Sequence, residues 1–203
     1  GLNYADHAAE SNLPVPAEPV LFTKQISALM GPNDPVVIPQ GSVKTDWEVE
    51  LGVVIGRPAR HVSRAQALDY VWGYTIINDA SARDFQMVTS QWMAGKIFET
   101  AAPVGPYIAD RSEVSNPHSL SLKTFVNGKQ MQNGNTKTFI FDVNYLVSYL
   151  SNLMTLMPGD LIATGTPPGV GLGMKPPVYL NAGDVVRMEI TGLGTLENPV
   201  KDA

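Results

Sequence analysis

The chain has 203 residues, 44% hydrophobic and 16% charged, and its 14 basic against 19 acidic side chains give a net charge of −5. This is the composition of an ordinary folded domain with a substantial core, and its acidity argues against nucleic acid or an anionic membrane as the main partner. The absence of cysteine excludes disulfides, thiolate zinc sites and cysteine nucleophiles and fits a reducing cytoplasm.

No apolar run reaches the roughly 18 residues of a membrane span, and no secretory signal opens the chain. A dense polar motif begins at once at Gly1, so upstream residues are expected to precede it. With 18 Gly and 16 Pro, many turns and short strands are expected rather than long helices.

In chain order, His7 and Glu10 form the first motif, H-x-x-E. On a helix, positions i and i+3 share a face, so Glu10 would orient the imidazole, and such a pair can activate water near neutral pH. The plainer reading is an exposed terminal segment with two ordinary polar residues. Residues 11–45 are punctuated by proline and loop-like, with short apolar pieces at Val20–Phe22 and Val36–Ile38.

The run 46–55 then alternates Trp47, Val49, Leu51, Val53 and Ile55 with other residues, the period of a half-buried strand. Glu48 and Glu50 therefore stand on one face, roughly 7 Å apart at Cα. Two like charges beside an apolar segment resist desolvation unless something positive lies between them. Either a divalent cation sits there or the strand face is simply solvated.

A helix is expected from Ser63 to about Tyr70, with Gln66 completing a capping box. A strand Val71–Ile77 follows, ending at Asn78-Asp79, and then a turn or irregular helix over 80–93. Asp79 reads as a strand-ending turn residue or as a third carboxylate ligand. Three carboxylates with water make an oxygen-only set, suited to Mg²⁺, Mn²⁺ or Ca²⁺. Lys96, lying between Gly95 and Ile97, is either a snorkelling surface lysine or a cation facing an anionic substrate.

Leu120–Val126, Asn127-Gly128 and Lys129–Gln132 read as a hairpin with a type I′ turn. Val143, Leu146, Val147, Leu150, Leu153 and Met154 fall at helical spacing behind a plausible N-cap, Asp142. Strand Leu161–Thr164 leads into a Gly/Pro loop over 165–177, and strands are expected near 178–180, 184–190 and 194–197. That loop is a plain tight turn or a place where backbone N–H groups approach an anion; it lacks the P-loop lysine. His61 and His118 are expected at the surface. The sum is α+β, predominantly β, in a single domain over 1–203, best fitted by a sandwich or rolled barrel.

Eight segments together resemble the fumarylacetoacetate hydrolase family: GLNYADHAAE, DWEVELGVVIG, GYTIINDASARDFQ, GKIFE, PVGPY, FVNGKQMQ, LMPGDLIATGTPPGVG and AGDVVRMEITGLGTLEN, in family order to about residue 198. The resemblance implies a β-sandwich roll of the family's C-terminal type, usually a homodimer, with one Mg²⁺ or Mn²⁺ held by three acids. The metal positions fall on Glu48, Glu50 and Asp79, and the catalytic lid dyad on His7 and Glu10. The polar shell falls on Arg83, Gln86 and the catalytic Lys96, and the substrate-carboxylate loop on Gly165 and Thr166.

Two departures stand out. Glu99 occupies a segment where many members carry Asp, and the N-terminal extension of many members is not in this stretch. The implied activity is hydrolysis of a carbon–carbon bond in a small 2,4-dioxo acid, an acylpyruvate or a 2,4-diketo-3-deoxy sugar acid. Oxaloacetate decarboxylation and keto–enol tautomerisation use the same chelate. From another class, the chain would be a catalytically idle, metal-stabilised binding protein.

Overall fold

A computed structural model describes residues 1–10 and 13–203. The strands are β1 (Leu29–Met30), β2 (Val36–Ile38), β3 (Thr45–Asp46), β4 (Val49–Ile55), β5 (Val71–Asn78), β6 (Ser81–Ala82), β7 (Ala102–Asp110), β8 (Ser121–Val126), β9 (Lys129–Asn135), β10 (Leu161–Ala163), β11 (Val185–Ile190) and β12 (Gly194–Asp202). The helices are α1 (Ala5–Glu10), α2 (Arg83–Gln86) and α3 (Val143–Leu153). One five-stranded sheet runs β1-β7-β5-β4-β10, a second runs β2-β12-β11-β8-β9, and β3 pairs with β6. β1–β7 and β2–β12 are parallel and the other pairs antiparallel, so both large sheets are mixed. The architecture is mostly β with few helices.

The alternation read in the sequence marks the main core. Val49, Leu51, Val53 and Ile55 of β4 pack with Leu122, Val186, Met188 and Leu196 of the second sheet, and with Val143, Val147 and Leu150 of α3. The opposite face of β4 is covered too: all seven residues of the strand are buried. A smaller cluster of Ala28, Ile77, Ala101 and Ala102, joined by Leu161, lies on the first sheet, and Ile77 is the register partner of Glu50. The half-buried strand expected from period-2 alternation is therefore buried on both sides, because segments distant in sequence fold over its polar face.

The strand also starts later than expected. The amides of Trp47, Glu48 and Val49 donate to the Asp46, Asn78 and Gln132 side chains, which interrupts the ladder between β3 and β4. The expected helix at 63–70 is a 3₁₀ segment, Arg64–Tyr70. Its capping box does not form, because the Ser63 hydroxyl donates to the Gln66 side chain. The type I′ turn is present, with Asn127 at φ 50° and Gly128 at φ 78°. Asp142 caps α3 by accepting the Tyr145 amide at 2.7 Å.

β7 contains Pro103, Gly105 and Pro106, which mask a strand in the sequence. Pro106 cannot donate to a ladder, and Thr75 Oγ1 there donates to the Gly105 and Tyr107 carbonyls. No strand forms at 178–180, where Val178 and Leu180 donate to the isolated carbonyls of Gly171 and Thr45. β12 runs on past 197, pairing with β2 over 200–202. His118 is not a free surface residue: its Nε2 accepts the Val143 amide at the start of α3, and burial lowers its pKa. His61 is exposed. Of the loop read over 11–45, residues 11 and 12 lie outside the described residues. Among the described residues no helix is long and apolar enough to cross a membrane.

Candidate metal centre and active site

The antiparallel pairing of β4 with β5 brings three acids together. Val49 faces Asn78, so Glu48 lies beside Asp79, whose amide donates to the Glu48 carbonyl at 2.9 Å. Glu50 projects on the same side, and one carboxylate oxygen from each of Glu48, Glu50 and Asp79 lies within 4.8 Å of the others. All three are buried, at 6%, 2% and 1% exposure. Like charges so placed need positive neighbours.

Three cations answer. Lys96, itself 2% exposed, places Nζ 2.8 Å from Glu48 Oε2, 2.8 Å from Asp79 Oδ2 and 2.6 Å from Ser81 Oγ. The snorkelling alternative for Lys96 is thereby overturned. Arg83 Nη2 lies 2.7 Å from Glu48 Oε1 and Lys24 Nζ 2.5 Å from Asp79 Oδ1. Burial works against every charge here. Lys96 and Arg83 nonetheless hold Glu48 below the usual carboxylate range, and Lys24 and Lys96 do the same for Asp79.

Glu50 differs. Its Oε2 accepts the Gly165 amide at 2.7 Å, but no described cation pairs with it. Burial, then the charges of Asp79 and Glu48, push its carboxyl up to about 8. At neutral pH it keeps a proton unless further positive charge arrives. The donors are all oxygens, the set preferred by hard divalent cations, and the shortage of positive charge is greatest at Glu50. The residues fit a Mg²⁺-class ion.

His7 Nδ1 lies 3.0 Å from Glu10 Oε2 on one face of α1, as the i, i+3 spacing predicted, and both side chains are largely buried. Glu10 Oε1 accepts the Gly169 amide at 2.9 Å. One loop thus touches both halves of the site, through Gly165 at Glu50 and Gly169 at Glu10. Gly165 and Thr166 are brought to the triad as expected, but their polar groups hold the loop to β4: Thr166 Oγ1 donates to the Val49 carbonyl and accepts from Gln132. Gln86 accepts from Arg83 Nη1 and orients it.

Sequence reasoning missed Lys24, Asp46 and Gln132. Nothing in the proline-punctuated segment marks Lys24. Asp46 adjoined the carboxylate run without a role, although a buried arginine nearby required a partner. Gln132, fully buried, bonds Val49, Thr166 and Pro167.

The family model described as fumarylacetoacetate (FAA) hydrolase C-terminal matches residues 1–201. The chain belongs to the fumarylacetoacetate hydrolase family. A relative from Burkholderia multivorans that carries a general hydrolase name is 59% identical over 196 residues, covering 96% of this chain and 70% of its own. The fumarylacetoacetate hydrolase of Exiguobacterium antarcticum has a solved structure that superposes with a TM-score of 0.92 at 42% identity, covering 100% of this chain and 73% of that one. A 5-carboxymethyl-2-hydroxymuconate delta-isomerase from Mycobacterium smegmatis matches with a TM-score of 0.89 at 42% identity, covering 100% and 77%. Fumarylacetoacetate hydrolase family members are metal-dependent enzymes, and the buried acidic triad agrees with that chemistry.

Proposed function

We propose that this protein is a divalent-metal-dependent hydrolase that cleaves a carbon–carbon bond in a 2,4-dioxo acid, an acylpyruvate or a 2,4-diketo-3-deoxy sugar acid. The observation that carries the reading is one loop seating both a three-carboxylate cluster and a His–Glu dyad. Glu48, Glu50 and Asp79 would hold Mg²⁺ or Mn²⁺, which supplies Lewis-acid charge for the carboxylate and 2-oxo group of the substrate.

His7, its Nδ1 fixed by Glu10, takes a proton from water through its other ring nitrogen. The water oxygen bonds to carbon 4, and the bond between carbons 3 and 4 breaks with its electron pair moving to carbon 3. The products are a carboxylic acid and the enolate of pyruvate, which a proton converts to pyruvate. Lys96 keeps its charge, since Asp79 and Glu48 raise its pKa against the effect of burial, and it opposes the negative charge developing on the substrate. Arg83, oriented by Gln86, holds Glu48 in place. Gly165 and Thr166 form the wall against which the substrate carboxylate rests, and docking of α1 excludes bulk water.

The likeness to an isomerase favours one second reading, in which the same site shifts a proton, or releases CO₂ from oxaloacetate, without attack by water. A turnover panel with Mg²⁺, Mn²⁺ and EDTA on acylpyruvates, 2,4-diketo-3-deoxy acids and oxaloacetate separates the two. We expect pyruvate and a carboxylic acid in equal amounts, abolished by EDTA. CO₂ release or enol–keto conversion alone would support the second reading, and no turnover with Mg²⁺ bound would support an idle binding protein.

The proposal includes a single domain of the family's roll type, a cytoplasmic setting suggested by the lack of cysteine, and a homodimer. For the dimer, Ile26, Met87 and Val88 expose large apolar side chains on neighbouring segments that are joined by Phe22–Trp92 and Thr23–Met93 contacts. Light scattering at twice the 21.9 kDa chain mass checks the dimer; a monomer mass excludes it.

A further inference from the structure

Asp46 takes no part in the mechanism above, yet it is fully buried and its carboxylate is saturated. Oδ1 accepts the amides of Trp47 at 2.8 Å and Gly171 at 2.7 Å. Oδ2 accepts Arg83 Nε at 2.9 Å and the Leu172 amide at 2.9 Å, with Arg83 Nη2 at 2.8 Å. That same Nη2 is 2.7 Å from Glu48 Oε1. One oxygen thus grips the loop, and the other grips both the loop and the arginine that neutralises a proposed metal ligand.

The loop approaches closely on both sides. A Cβ on Gly171 would fall 1.9 Å from the Val178 carbonyl oxygen and 2.8 Å from Asp46 Oδ1, so a bare backbone is required there. At the loop's other contacts, Gly169 donates to Glu10 and Trp47 Nε1 donates to the Gly169 carbonyl. A Cβ on Gly173 would lie 2.5 Å from Glu10 Cδ. Contacts therefore run unbroken from His7 through Glu10, the loop, Asp46 and Arg83 to Glu48.

We propose that Asp46 is a positioning residue that couples docking of α1 to cation loading of Glu48, Glu50 and Asp79. The inference rests on the metal reading given above. Asparagine cannot replace aspartate here. Its amide group is a donor, and it would face either the donors of Arg83 and Leu172 or those of Trp47 and Gly171. Coupling between sites is reciprocal, so loading the cation must tighten the seat of α1.

Hydrogen exchange on the full chain with and without saturating Mg²⁺ tests this, with Mg²⁺ affinity measured by calorimetry. In the wild type, amides of Ala5–Glu10 should exchange roughly 5- to 150-fold more slowly when Mg²⁺ is bound. In Asp46→Asn, Mg²⁺ still binds, more weakly, and α1 no longer responds. A merely structural defect would lower protection equally with and without Mg²⁺ and leave the difference intact, which would overturn the proposal.

Gly173→Ala leaves Asp46 and Arg83 untouched and pushes the Glu10 carboxylate off its seat. It should lose the α1 response and, because the coupling is reciprocal, bind Mg²⁺ more weakly by the factor that response shows in the wild type. A full response there, or a lost response with wild-type affinity, also overturns the coupling. Wild-type protein that binds Mg²⁺ with no change in α1 refutes the coupling alone. Wild-type protein that binds no Mg²⁺ refutes the metal reading, and the coupling with it.

Discussion

Glu50→Gln is expected to abolish Mg²⁺ binding and to lower metal-dependent turnover by at least about 10²–10³-fold, while leaving the protein folded. The substitution suits the site because the Glu50 carboxyl, pushed up to about 8, already carries a proton at pH 7. Glutamine mimics that neutral form and keeps an oxygen for the Gly165 amide, but it lacks the charge a cation needs.

The sign of the stability effect follows from the same shift. An unfolded Glu50 titrates near its ordinary value, so between there and about pH 8 the folded state binds more protons than the unfolded state. Stability of EDTA-treated wild type is therefore drained by this group as pH rises through that window. Glu50→Gln removes the drain, and at pH 8 the variant should unfold at a higher temperature than EDTA-treated wild type. Glu48 and Asp79, held low by their cations, act in the opposite sense and lose their contribution as pH falls. Loss of activity together with gain of stability is the signature of a functional ligand held at a cost to the fold. A variant with full turnover would remove Glu50 from the site.

His7→Ala is expected to lower hydrolysis by roughly 10²–10⁴-fold, the range for a lost general base, with Mg²⁺ affinity unchanged. The dyad is attached to the loop through Glu10 and Gly169 and shares no hydrogen bond with Glu48, Glu50 or Asp79 among the described residues. Steps that need no attacking water, such as oxaloacetate decarboxylation, should survive in this variant. Equal loss of both reactions, or loss of Mg²⁺ affinity, would mean that His7 acts on the metal centre and not on water.

The sequence displayed part of this site openly. Alternation at Trp47–Ile55 put Glu48 and Glu50 on one face, and the next strand ended at Asp79, because strand periodicity is local. It left a solvated face open, and the family resemblance assigned the three acids to a metal. The i, i+3 spacing of His7 and Glu10 was legible because helix periodicity is local too. What could not be read was contributed from afar. Lys24 reaches Asp79 across 55 residues from a segment with no periodicity. The cluster of Ala28, Ile77, Ala101 and Ala102 on the first sheet, with Ile77 beside Glu50, comes from separate elements. β7 was lost to its prolines, and part of what ties it to β5, the Thr75 hydroxyl donating to the Gly105 and Tyr107 carbonyls, is a side-chain contact that spacing does not announce. The loop residues Gly165 and Thr166 were found, but their commitment to Glu50, Val49 and Gln132 depends on packing that spacing does not encode.

If Glu48, Glu50 and Asp79 form a cation site, Glu50 must give up a proton as the ion binds. Titrating Mg²⁺ into the protein at pH 7 by calorimetry, in two buffers of different ionisation enthalpy, tests it most directly. The prediction is close to one proton released per ion bound at pH 7, falling away well above pH 8, with affinity rising over the same range and no binding heat in Glu50→Gln. Binding heat independent of buffer, or no binding at all, would contradict it.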